Sequence, residues 1–171
     1  MAGAMKIHTY PDPVLRAKAE VVENIDDELL DLIEGMGEIM YAAPGIGLAA
    51  NQVGSLKRVV VYDLTPRLDG RQLSVIVNPE IVQCEGEIVY EEACLSVIDY
   101  SAEVKRHARI KVRGYDRNEK PVDIEAEDLL AICLQHEIDH LNGKLFIDHV
   151  SSLKRALYKK KIQKILKKGD A

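Results

Sequence analysis

The sequence has no apolar run approaching the ~18–20 residues that a bilayer-spanning helix needs, so no membrane span is expected. Tryptophan is absent and phenylalanine occurs once, which removes the aromatic anchors of a helix lying in a membrane surface. The first residues, MAGAMKIHTYPDP, carry no secretory apolar stretch. A cytoplasmic protein is expected, with residues 1–4 an extension ahead of Met5. The three cysteines, Cys84, Cys94 and Cys133, are an odd count that cannot close a disulfide framework. They point instead to free thiols or a metal ligand. Internal repeats and low-complexity linkers are also missing, and 171 residues suit one domain over 1–171.

What is present is the composition of a globular chain, 47% hydrophobic and 30% charged. The net charge of −5 is unevenly placed. From Val150 onward eight Lys or Arg stand against one acid, Asp170, a net +7 that leaves −12 on the rest. An acidic body thus carries a basic tail.

Apolar periodicity predicts a helix over residues 24–41, capped by Asn24, with Leu29, Leu30, Ile33, Met36 and Met40 on its inner face. A glycine-rich stretch from Pro44 to Gln52 follows. Strands are expected at 58–62, 73–78, 87–91 and 108–115, separated by turn residues such as Asp69-Gly70 and Asn78-Pro79. A helix is expected over 127–142, stopped by Gly143, and a last one over about 151–167. This order predicts an α+β fold: an N-terminal helix, antiparallel or mixed sheets around a central helix, and a C-terminal helix.

The central helix carries the chemistry. His136-Glu-Ile-Asp-His140 has the form H-E-x-x-H. At 3.6 residues per turn, His140 lies only ~40° around the helix from His136, so both imidazoles leave one face and can bind one ion. Glu137 sits ~100° away, suited to reach a water on that ion as general base. A surface helix with two histidines is the ordinary alternative. However, Leu129-Leu-Ala-Ile-Cys-Leu-Gln-His-Glu-Ile-Asp-His-Leu141 is apolar nearly all round and reads as buried. Burying these polar groups without partners costs several kcal/mol, which a metal offsets.

Two histidines leave the site incomplete, since catalytic sites commonly hold three protein ligands and one open position. The third could be a carboxylate, a histidine or a cysteine. Cys133 shares the face of His136, but its short side chain points alongside the ion and reads as an apolar pocket wall. Among the cysteines, Cys84 sits in polar turn residues and Cys94 follows a strand.

Three segments, Gly45-Ile-Gly-Leu-Ala-Ala-Asn-Gln52, Glu92-Ala-Cys-Leu-Ser96 and Gln135-His-Glu-Ile-Asp-His140, resemble in order and spacing the three motifs of peptide deformylases. Tyr10-Pro-Asp-Pro-Val-Leu-Arg16 and Gly143-Lys-Leu-Phe146 are similar to that family's flanking segments, and the C-terminus to its bacterial type with a long terminal helix. The resemblance implies a metal-dependent hydrolase that removes the formyl group from the N-terminal formyl-methionine of nascent polypeptides. It implies Cys94, His136 and His140 as metal ligands and Glu137 as acid/base. Gln52 and the backbone N–H of Leu95 become donors to the formyl oxygen. It places Gly45, Ile46 and Gly47 along the substrate peptide, Glu92 and Ala93 beside it, and Tyr90, Leu129, Ile132 and Cys133 around the methionine side chain. It implies Fe2+ as the physiological metal, with Zn2+, Ni2+ or Co2+ able to occupy the site.

The family has glycine where this chain has Ala93 and proline where it has Ile98, and some members carry arginine where it has Ser101. If position 93 needs φ > 0, the Cβ of Ala93 costs about 1 kcal/mol. Arg106 and Asp139 are expected either to brace the site as an ion pair or, for Arg106, to be an ordinary exposed strand residue.

In the tail, Leu153, Leu157, Ile162 and Ile165 are expected to face the body and the lysines to face solvent. By resemblance that helix contacts the ribosome, an RNA attraction rather than a membrane or DNA one, and a monomer is expected. Two other readings are a different small metallopeptidase, for which Gln52 is dispensable, and a ribosome-binding relative without activity.

Overall fold

The computed structural model describes residues 4–65 and 67–169. The predicted extension at residues 1–4 thus lies, apart from Ala4, outside the described residues. Helix α1 (Asp27–Ala42) buries Leu29, Ile33, Met36 and Met40. Its cap is Asp26, not Asn24: the Asp26 carboxylate accepts from Leu29 N–H at 2.9 Å, meeting one of the unpaired donors of the first turn.

The glycine-rich stretch becomes strand β1 (Gly47–Ala49) and a 3-10 turn, Ala50–Val53. Next come β2 (Val59–Tyr62), β3 (Ser74–Glu85), β4 (Ile88–Cys94), β5 (Val97–Arg106), β6 (Arg109–Tyr115) and β7 (Pro121–Glu127). Helix α2 (Asp128–Leu141) and helix α3 (Ser152–Gly169) follow. One antiparallel sheet has the order β1-β2-β3-β6-β7, and β4 and β5 form a separate hairpin. The α+β class is as expected.

Three strand expectations are corrected. Asn78-Pro79 does not end a strand but bulges β3, with a register shift between Val77 and Glu80. Asn78 adopts φ 54°, a conformation asparagine tolerates. Its amide is clasped by both backbone groups of Val22 at 2.8 Å, so the strand continues past the proline. Strands β5 and β7 lie where none was expected. In β7, Val122, Ile124 and Ala126 alternate with acids, a period-2 signal hidden by the starting proline.

The sheet buries Ile76 and Val112 against Ala131, Leu134 and Ile138 of α2, and Val59 and Val61 against α1. The stripe expected on α3 is also corrected. Its buried residues are Tyr158 and Ile162, whereas Leu153 is 69% and Leu157 58% exposed. Tyr158 decides the face. Its ring lies 4.8 Å from that of Tyr100, and its hydroxyl donates to Ile98 O at 3.1 Å. Among the described residues no helix is long and apolar enough to cross a membrane.

Candidate metal centre

Helix α2 is buried on nearly every side from Ala131 to Leu141, so its polar residues are carried into the interior. His136 and His140, one turn apart, bring their Nε2 atoms to 3.3 Å. Cys94 ends β4, and its Sγ lies 3.3 Å from His140 Nε2. The three donor atoms all lie within 4.8 Å of one another. A tetrahedral ion with metal–nitrogen bonds of about 2.0–2.1 Å and a metal–sulfur bond of about 2.3 Å has ligand–ligand edges of roughly 3.3–3.6 Å. The donor set therefore fits one such ion, and its thiolate and two imidazoles suit a borderline transition metal.

Electrostatics agree with a cation here. Burial pushes the His140 imidazole well below its ordinary pKa, the neutral form a ligand needs. Burial also opposes a charge on His136, but Cys94 and Glu92 outweigh it and draw positive charge to that point. Glu137 is buried, and burial raises its carboxyl to about 7, the range of a proton acceptor near neutrality. Its Oε2 accepts no hydrogen bond from the described residues.

Gln52, at the end of the turn after β1, is held at both ends of its amide. Its Oε1 accepts from Ala49 N–H at 3.0 Å. Its Nε2 donates to Ser96 Oγ at 3.1 Å and stands 3.7 Å from Cys94 Sγ. Ser96, not singled out from sequence, is buried and supports both Gln52 and Cys94.

A cleft of about 390 Å³ opens onto these groups. Gly45 and Ile46 just before β1 and Gly47 at its start line it, as do Tyr90, Ala93 and Leu95 from β4 and its turn. Leu129, Ile132 and Cys133 line it from α2. Burial pushes the Cys133 thiol well up, so it stays a protonated, apolar wall and stands outside the ligand cluster. Ala93 is absent from the residues of positive φ, so its Cβ costs no backbone strain. Ile98 is exposed, and Ser101 Oγ donates to Glu91 at 3.0 Å.

Glu92, expected beside the substrate, has a further set of contacts. It borders the cleft, but its carboxylate turns inward to His136 Nδ1 at 2.8 Å and to Arg106 at 2.8 and 2.9 Å. The sequence held a signal for this: Glu92 and Cys94 are two apart on one strand and share a face. Arg106 is 6% exposed, which rules out the surface-residue reading, and it also donates to Asp139 at 2.6 Å.

Residues 4–156 match the family model described as polypeptide deformylase. The chain belongs to the peptide deformylase family. It is 53% identical over 167 residues to a peptide deformylase of Syntrophobacter fumaroxidans, covering 98% of each chain. A peptide deformylase structure from Legionella pneumophila superposes with a TM-score of 0.89 at 45% identity, covering 98% of each chain. One from Ehrlichia chaffeensis in complex with actinonin gives 0.87 at 39% identity, covering 95% of this chain and 98% of that one. The chain is therefore a metal-dependent hydrolase of the family that removes the N-formyl group from nascent chains.

Proposed function

We propose that Cys94, His136 and His140 hold the catalytic metal of this deformylase and that Glu137, Gln52 and Leu95 perform the rest of the chemistry. The observation that carries this reading is the convergence, at one cleft, of the three donor atoms, the Gln52 amide 3.7 Å from Cys94 Sγ, and the buried Glu137 carboxylate. When bound, the ion supplies Lewis acidity and a nucleophilic water near neutral pH. Glu137 takes the proton from the attacking water and returns it to the amine that leaves. The Gln52 Nε2–H and Leu95 N–H donate to the formyl oxygen as negative charge develops on it. Ala49 and Ser96 hold the Gln52 amide in place, which leaves the Nε2–H directed to Cys94 Sγ at 3.7 Å as the one to donate.

β1 is an edge strand of its sheet and begins at Gly47, which supports Gly47, with Gly45 and Ile46 leading into it, as the edge along which an extended peptide lies. Tyr90, Leu129, Ile132 and Cys133 give the cleft an apolar wall for the methionine side chain. Fe2+ is the metal we assign in the cell; Zn2+, Ni2+ or Co2+ would occupy the same donors in purified protein. We read the chain as one catalytic domain, a cytoplasmic monomer whose basic α3 meets ribosomal RNA.

The test is anaerobic purification, identification of the bound metal, and assay of a formyl-methionyl peptide with wild type and Glu137→Ala. Metal retained with turnover reduced by ~10²-fold or more is expected of the variant. An iron-loaded wild type that leaves the formyl peptide intact would overturn the assignment.

A further inference from the structure

The three donor residues come from two elements with no shared sheet. Cys94 closes the β4–β5 hairpin, while His136 and His140 sit on α2. Metal sites accept departures of only about 0.2 Å in their ligand distances. Something must therefore fix the hairpin against the helix at the ligands themselves.

Two polar links flank the donors, one buried and one partly buried. Glu92 Oε1 meets His136 Nδ1 at 2.8 Å, and Arg106 Nη1 donates to Asp139 Oδ2 at 2.6 Å. Both pass through one guanidinium, because Arg106 Nε and Nη2 also grip the two oxygens of Glu92 at 2.8 and 2.9 Å. Glu92 lies two residues before Cys94, and Asp139 lies immediately before His140. The same Asp139 Oδ2 also meets His149 Nε2 at 2.9 Å, from the turn Phe146–His149. Both Glu92 oxygens are engaged, and the acceptor on His136 Nδ1 orients that ring with Nε2 toward the ligand cluster.

We propose that Arg106 is a positioning residue of the metal centre, whose fork sets the hairpin ligand Cys94 against the helix ligands His136 and His140. The proposal rests on reading those three residues as ligands. A lysine at this place keeps the charge but cannot engage both carboxylates in one plane. The geometry therefore predicts that charge alone is insufficient.

The experiment uses the full chain loaded with Co2+, as wild type, Arg106→Met, Arg106→Lys and Asp139→Asn. Three quantities are read: the Co2+ absorption bands, the rate of metal loss to excess chelator, and the thermal midpoint. Arg106→Met and Arg106→Lys are both expected to shift the bands and to lose Co2+ at least ~10-fold faster. Arg106→Lys is expected to recover much of the thermal midpoint without recovering the metal readouts. Asp139→Asn keeps the side chain's shape and is expected to shift the metal readouts in the same direction. If Arg106→Met fails to fold, Arg106→Lys and Asp139→Asn decide. Wild-type bands and metal loss in those two would overturn the proposal while leaving the ligand reading intact. A wild type that holds no Co2+ would overturn the ligand reading and this proposal with it.

Discussion

Gly47 has a hydrogen where a Cβ would stand 2.8 Å from Cys133 Sγ and 2.9 Å from Glu137 Oε1. Both atoms are ends of side chains, so Gly47→Ala is expected to fold while pushing the Glu137 carboxylate from its place. A misplacement of about 1 Å at a reacting group can cost ~10²-fold in rate. The expected outcome is a fall in formyl-peptide turnover of ~10-fold or more, with bound metal and far-UV circular dichroism unchanged. Wild-type turnover in this variant would show that the position of Glu137 does not limit the reaction. Ala93, by contrast, carries no strain that a glycine would relieve, since β4 runs extended there. Its effect is confined to the shape of the cleft it lines.

Helix α2 ends at Leu141, one residue after His140. Gly143 N–H donates to His140 O at 3.0 Å, and Lys144 N–H to Asp139 O at 2.9 Å, closing the carbonyls of the last turn. Gly143 sits at φ +74°, and a Cβ there would lie 2.5 Å from the backbone oxygen of Arg16. Left-handed backbone costs a residue with Cβ roughly 1–2 kcal/mol, and here the opposing backbone must also move. Gly143→Ala is therefore expected to lower the thermal midpoint by ~4 °C or more, read by thermal unfolding. No change would mean that the N-terminal segment yields freely. The hairpin is the less obvious element. Its charged strand β5, Val97–Arg106, buries only alternate residues such as Ala102 and Val104, yet β5 delivers Arg106 while its partner β4 delivers Cys94.

Across the whole molecule, the cleft and the Cys94, His136 and His140 cluster sit in the acidic body, and the basic charge projects on α3, most of which lies beyond the residues matching the family model. Lys159, Lys160, Lys164 and Lys167 are exposed. Replacing these four with glutamine is expected to weaken co-sedimentation with ribosomes and flatten its dependence on salt, with the thermal midpoint and peptide turnover retained. Unaltered, salt-independent co-sedimentation would remove RNA attraction from the account. The sequence by itself determined the helical face of His136 and His140, the burial of α2, the α+β order and the acidic-body, basic-tail division. Each depends on residues close in the chain, where helical period, apolar pattern and charge count suffice. The tertiary structure decided what joins distant segments: Cys94 at 3.3 Å from His140, Gln52 fixed through Ser96, and Glu92 and Asp139 on one Arg106. It also decided which face of α3 docks, because Tyr158 finds Tyr100 and Ile98 there. No local period encodes such contacts; they exist only once the sheet, hairpin and helix have packed.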